Sequence, residues 1–177
     1  MIYRIGCMTV TPEDTQLRQL GGKPLSNSDH EIQVAPPTEP VTFLIVDDDQ
    51  VSVMAIKRAL KKLRILNPIR VARDGQEALD ILRGECGEER ILPPYLVTLD
   101  INMPRMNGFE FLEEARKDER LHRIVVFVLS TSDTPDDIAT AYDQNIAGYI
   151  VKDDLGESFV RALDMIESFC RIVELPK

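Results

Sequence analysis

The sequence predicts a doubly wound α/β fold, with five parallel strands in the order 2-1-3-4-5 and helices on both faces. Two observations carry this. Short apolar runs alternate with segments of helical periodicity five times between residues 41 and 175. Runs such as Leu44-Ile45-Val46 are also continuous rather than alternating, as expected of strands covered on both faces.

The elements follow in order. Thr42-Phe43-Leu44-Ile45-Val46 reads as a buried strand, and Val53, Met54, Ala55, Leu60 and Leu63 mark a helix that Asn67-Pro68 breaks. Ile69 to Ala72 is the second strand, and Gly75 to Leu82 a helix that Gly84 ends. A charged loop from Glu85 to Pro94 leads into the third strand, Tyr95 to Leu99. Phe109 to Arg116 is helical, and Ile124 to Leu129 is the fourth strand. Thr134-Pro135-Asp136-Asp137 is a strong helix start: a capping hydroxyl, proline at the first helical position, then two acids that complement the helix dipole. That helix runs to about Gln144. Gly148 to Val151 is the fifth strand, and a helix from Glu157 to Val173 sets Phe159, Leu163, Ile166 and Cys170 on one face. That face suits the core better than a homodimer contact.

Residues 1–40 differ in composition. Gly21, Gly22 and Pro24, then Pro36, Pro37 and Pro40, interrupt any periodicity. They predict a weakly structured leader ahead of one domain spanning 41–175. The 177 residues carry a net charge of −9, which disfavours nucleic acid as a partner and suits a cation or a basic protein surface. Cys7, Cys86 and Cys170 are widely spaced and odd in number, so neither a disulfide framework nor a zinc site is expected. No apolar run is long enough to span a membrane, and Met1 to Val10 lacks the apolar core of a signal peptide, so the expected location is the cytoplasm.

In a doubly wound sheet, ligands sit beyond the carboxyl ends of the strands. Here those ends carry Asp47-Asp48-Asp49, Asp100, Ser130-Thr131-Ser132 and Lys152. Strands one and three are neighbours, so Asp47, Asp48 and Asp100 crowd together and need a cation, a proton or a lysine. A few hard oxygen ligands suit Mg²⁺. Lys152 adds a positive charge and Ser130 a hydroxyl, a set able to activate Asp100 as a nucleophile toward phosphorus. Singly, each residue reads as a cap or a solvated side chain; only the joint placement is informative. Asp49 reads best as the cap of the first helix.

The residues then resemble the response-regulator receiver family, in its stand-alone, chemotaxis-regulator-like form. The resemblance rests on Leu44-Ile45-Val46-Asp47-Asp48-Asp49, Ala72-Arg73-Asp74-Gly75, Leu99-Asp100-Ile101-Asn102-Met103-Pro104 with Asn107-Gly108, Leu129-Ser130, and Gly148-Tyr149-Ile150-Val151-Lys152. It implies a flavodoxin-like fold and a two-component histidine–aspartate phosphorelay. Asp100 resembles the phosphoacceptor. Asp48, Asp100 and the Asn102 carbonyl resemble the Mg²⁺ ligands, with Asp47 as the second acid reaching the metal through water. Ser130 resembles the switch hydroxyl, Lys152 the lysine that pairs with a phosphoryl oxygen, and Tyr149 the aromatic that turns inward with Ser130. Implied partners are a histidine kinase or histidine phosphotransfer protein and a downstream protein target. The chain would catalyse only its own phosphoryl transfer and loss, and its output would be protein contact through the fourth helix, fifth strand and fifth helix, because no DNA-binding segment follows.

Two positions depart from the family pattern. Asp153 follows Lys152 where proline is usual, and a cis bond there would cost roughly 3 kcal/mol. Thr131 stands where a smaller residue is common, which predicts slow loss of the phosphoryl group. The rival readings are a phosphate-independent interaction module, a phosphohydrolase with Asp100 as nucleophile, and a flavin carrier. Asn102 breaks the Asp-x-Asp pattern of the second, and the acids after the first strand replace the phosphate loop of the third.

Overall fold

A computed structural model describes residues 40–152 and 156–176. The expected leader, Cys7, His30, Asp153 and the peptide bond after Lys152 therefore lie outside the described residues. The strands are β1 (Thr42–Val46), β2 (Ile69–Ala72), β3 (Tyr95–Leu99), β4 (Val125–Ser130) and β5 (Gly148–Val151). The helices are α1 (Gln50–Lys62), α2 (Gly75–Arg83), α3 (Gly108–Lys117), α4 (Pro135–Asp143) and α5 (Glu157–Ile172). All strand pairings are parallel, and the order is β2-β1-β3-β4-β5. Among the described residues no helix is long and apolar enough to cross a membrane.

Strand residues divide by parity between two cores, as the two-residue repeat requires. Leu44, Val46, Val97, Leu99, Val126 and Val128 pack with Leu79, Leu82, Phe111 and Leu112 from α2 and α3. Phe43, Ile45, Leu96, Phe127 and Leu129 pack on the other face with Ile56, Leu60, Phe159, Leu163 and Ile166 from α1 and α5. The apolar face of α5 is thus used by the core, and Leu175, beyond the helix, joins the same cluster. Each fully buried large side chain contributes roughly 1.5–3 kcal/mol.

Small differences from the sequence reading have local causes. Ile124 closes a turn onto the Leu121 carbonyl, so β4 starts one residue later than expected. It runs on to Ser130 because Ser130 pairs with Val151. Asn107 and Glu110 form a capping box that starts α3 at Gly108. Helix α4 starts as predicted, with the Thr134 hydroxyl accepting from the Asp137 amide, but ends at Asp143. Val173 is extended and ends α5 at Ile172.

Register positions the chemistry. Val46 pairs with Leu99, so Asp47 and Asp100 are the next residues on adjacent strands. Ser130 pairs with Val151, and Lys152 follows immediately. Gly108 is required beside Asp100: a Cβ there would lie 2.5 Å from the Asp100 carbonyl oxygen and 2.8 Å from Ile101 Cα. Its absence lets the start of α3 close onto the end of β3, where the Gly108 amide donates to the Ile101 carbonyl at 2.9 Å.

Candidate functional site

Asp47 is 3% exposed and fully engaged. Its Oδ1 accepts from the Asp49 amide at 2.9 Å. Its Oδ2 accepts from Ser52 Oγ at 2.6 Å and from Lys152 Nζ at 2.7 Å. Asp49 caps α1, accepting from the Val51 and Ser52 amides, as the sequence predicts. That cap fixes the first turn of the helix and so returns the Ser52 hydroxyl to the end of β1. Ser52 also accepts from Lys152 Nζ at 3.1 Å.

Asp100 is buried at the end of β3 and lies 3.4 Å from Lys152 Nζ. Burial pushes its carboxyl above the usual carboxylate range; the Lys152 charge opposes this and the Asp47 charge adds to it. Asp48 is exposed, yet one oxygen from each of Asp47, Asp48 and Asp100 lies within 4.8 Å of the others. Three carboxylates near a single lysine, which pairs with Asp47 and Asp100, leave excess negative charge, and an all-oxygen donor set fits a hard divalent cation. Asn102, two residues beyond Asp100, is exposed and lines a cleft of about 430 Å³ with Met103, Phe109 and Asp137.

Ser130 is buried on β4, where its Oγ accepts from the Ser132 amide at 3.2 Å. Tyr149 is half-buried against the α2–α3 core, and its hydroxyl donates to the Ser132 carbonyl at 2.9 Å. Ser132 Oγ in turn donates to Asp137 near the start of α4. Ser130 and Tyr149 therefore hold the same loop residue, while Lys152 joins Asp47 and Asp100. Thr131 is exposed beside them.

The contacts of four residues, Ser52, Ser132, Asp137 and Asp74, were not legible in the sequence. Ser52 looks like an ordinary first-turn serine, and its three-residue offset from the Asp49 cap is the only local signal. Ser132 and Asp137 form a side-chain bond that only the loop path brings together. Asp74 caps α2 through Oδ1, bonded to the Glu77 amide at 2.9 Å, while being completely buried. Its Oδ2 forms an ion pair, without hydrogen-bond geometry, with Arg105 from the loop that carries Asn102. The remaining reactive side chains are poorly suited to chemistry. Burial pushes the Cys170 thiol up to about 12, and the Cys86 thiol is raised by the adjacent Asp80 charge.

Residues 43–163 match the model of the response regulator receiver domain. The chain is 36% identical over 131 residues to the probable methanogenesis regulatory protein FilR2 of Methanothrix harundinacea, covering 74% of this chain and 84% of that protein. It is 31% identical over 130 residues to the response regulator Rcp1 of Synechocystis, covering 73% and 88%. The crystal structure of Mn²⁺-bound Rcp1 matches with a TM-score of 0.70 at 31% identity, over 78% of this chain and all of that one. The structure of the phosphorylated cyanobacterial phytochrome response regulator RcpA matches with a TM-score of 0.71 at 33% identity, again over 78% of this chain and all of that one. With the strand order and the acidic strand ends, these matches establish that the chain belongs to the response-regulator receiver family and is a phosphoacceptor response regulator of two-component signalling.

Proposed function

We propose that Asp100 is the phosphoacceptor and that Asp47, Asp48 and Asp100, with the Asn102 carbonyl, hold Mg²⁺ during the reaction. The observation that carries this reading is the approach of three carboxylate oxygens within 4.8 Å of one another, two of the carboxylates also pairing with Lys152. Rcp1 crystallised with Mn²⁺ and RcpA phosphorylated, which supports the same reading. A bound Mg²⁺ would neutralise charge on the carboxylates and on the transferring oxygens.

The chain's own residues then have defined tasks. An Asp100 carboxylate oxygen attacks the phosphorus of a phosphohistidine on a kinase or phosphotransfer protein. The new oxygen–phosphorus bond forms as the phosphorus–nitrogen bond breaks, and the electron pair leaves with the imidazole. Lys152 already stands 3.4 Å from Asp100, and its charge offsets that of a phosphoryl oxygen. Ser130 takes a second phosphoryl oxygen by giving up the Ser132 amide. That exchange disturbs Ser132, which Tyr149 also holds, and so alters the surface around α4 and β5 that meets a downstream protein. Residues 41–175 form the receiver, acting in the cytoplasm.

The test is incorporation of phosphate from a small phosphodonor, with and without Mg²⁺, in the parent and in Asp100→Asn. Acid-stable, base-labile label requiring both Mg²⁺ and Asp100 is the expected result. A folded parent that takes no label would instead be a phosphate-independent interaction module.

A further inference from the structure

The amino ends of β3 and β4 border a second cavity, of about 520 Å³. Tyr95 opens β3 there, and Asp100 lies five residues further on, roughly 16 Å away at the rise of an extended strand. The cavity is therefore separate from the acidic site. Its volume lies in the range of small-molecule sites.

Its lining reverses the charge of the chain. Arg90, Arg120 and Arg123 face it, against Glu119 as the one acid of the lining. The neighbouring Asp118 is held by Arg83 at 2.9 Å, and Arg120 reaches it only at 3.8 Å. Arg123 Nε donates to a histidine, His122, at 3.1 Å. Neither Arg90 nor Arg123 has an ion-pair partner among the described residues. The floor supplies a second, independent observation. Tyr95 is only 9% exposed, and its hydroxyl has no hydrogen-bond partner among the described residues. That hydroxyl is not sealed in the core and is free to bond a molecule in the cavity that Tyr95 lines. Pro93 and Ile124 provide apolar walls beside the tyrosine.

Arginine forks match phosphate oxygens, and a tyrosine flanked by apolar walls suits a ring. We propose that this cavity binds a phosphate monoester carried on a ring, with Arg90 and Arg123 on the phosphate and Tyr95 hydrogen-bonded to the ligand. The ring is either that of a nucleoside or that of a sugar.

Calorimetric titration of the full chain in EDTA, which silences the acidic site, tests this with AMP, ribose 5-phosphate and inorganic phosphate. Saturable binding of one or both ring phosphates, tighter than that of inorganic phosphate, is expected; their relative strength tells nucleoside from sugar. The Arg90→Glu/Arg123→Glu pair should weaken it by roughly tenfold or more, and Tyr95→Phe by several-fold. Asp100→Asn should bind as the parent does, and phosphoryl uptake at Asp100 should survive the arginine changes, which separates this site from the phosphoacceptor. Single Arg90→Gln and Arg123→Gln variants serve if the double variant does not fold. No saturable binding at millimolar ligand, equal binding of inorganic phosphate, preference for an acidic peptide over both ring phosphates, or indifference to the arginine changes would each overturn the proposal.

Discussion

At the carboxyl ends of the strands the chain buries Asp47, Asp74, Asp100 and Ser130, together with Ser52 at the start of α1. At the amino ends the described residues bury no carboxylate, and closure relies on backbone carbonyls. Arg116, at the end of α3, donates to the carbonyls of His122, Ile124, Gln144 and Asn145 at 2.8–3.1 Å, tying the α3–β4 and α4–β5 connections together. Asn67 likewise donates to the Val41 carbonyl at 2.8 Å. Buried charge is costly unless compensated. On the proposed reading, the fold concentrates that cost at the end where a cation and a phosphoryl group would relieve it, and it closes the connections at the other end with neutral carbonyl acceptors. On that reading, substitutions at the carboxyl end should alter phosphoryl uptake, whereas substitutions at the amino end should alter stability alone.

The largest effect is expected at Lys152. Lys152→Met keeps the buried stem and removes the charge that Asp47 and Asp100 share. Phosphoryl uptake should fall about a hundredfold or more. Without a divalent cation, stability in urea melts should drop by roughly 3 kcal/mol, because two buried carboxylates lose their partner. Arg116→Ala should show the stability loss alone: roughly 2–3 kcal/mol in the same melts, with uptake unchanged. If Arg116→Ala also abolished uptake, the two ends would not be separable.

A subtler contrast concerns pH. Asp100 titrates higher in the folded chain than its ordinary value, mainly because it is buried. The folded state therefore holds this proton longer than the unfolded state does. Stability from this group is fullest below the unfolded value and declines as pH rises from there to the raised folded value. In metal-free urea melts, Asp100→Asn should be more stable than the parent at pH 7, with the advantage shrinking in acid. The smallest effect is expected at Thr131, exposed beside Ser130. Thr131→Ala should shorten the lifetime of the phosphoryl group by a few-fold, followed as loss of label; an unchanged lifetime would remove the crowding argument.

Much of the carboxyl end was legible in the sequence. Continuous apolar runs gave β3 and β5 their observed bounds, and parallel pairing of β1 with β3 made the meeting of Asp47 and Asp100 a matter of register. The amino end was far less legible. Nothing near Arg116 in sequence announces that its guanidinium will gather four carbonyls, two of them 28 and 29 residues away. Tyr95 read simply as the first residue of a strand. At the carboxyl end, too, Arg105 and Asp74 belong to connections that only the fold brings together. Lys152 lies between these cases: Asp153 follows it where proline is usual, and its ammonium stands 2.7 Å from Asp47.

The central claim is that the phosphoryl group resides on Asp100. Borohydride reduction of the phosphorylated chain followed by peptide mass mapping reads that position directly, since an aspartyl phosphate is converted to homoserine. Homoserine at position 100, formed only after phosphorylation in the presence of a divalent cation, is the predicted result. Homoserine at Asp47 or Asp48, or at no position in a chain that carries label, would contradict it.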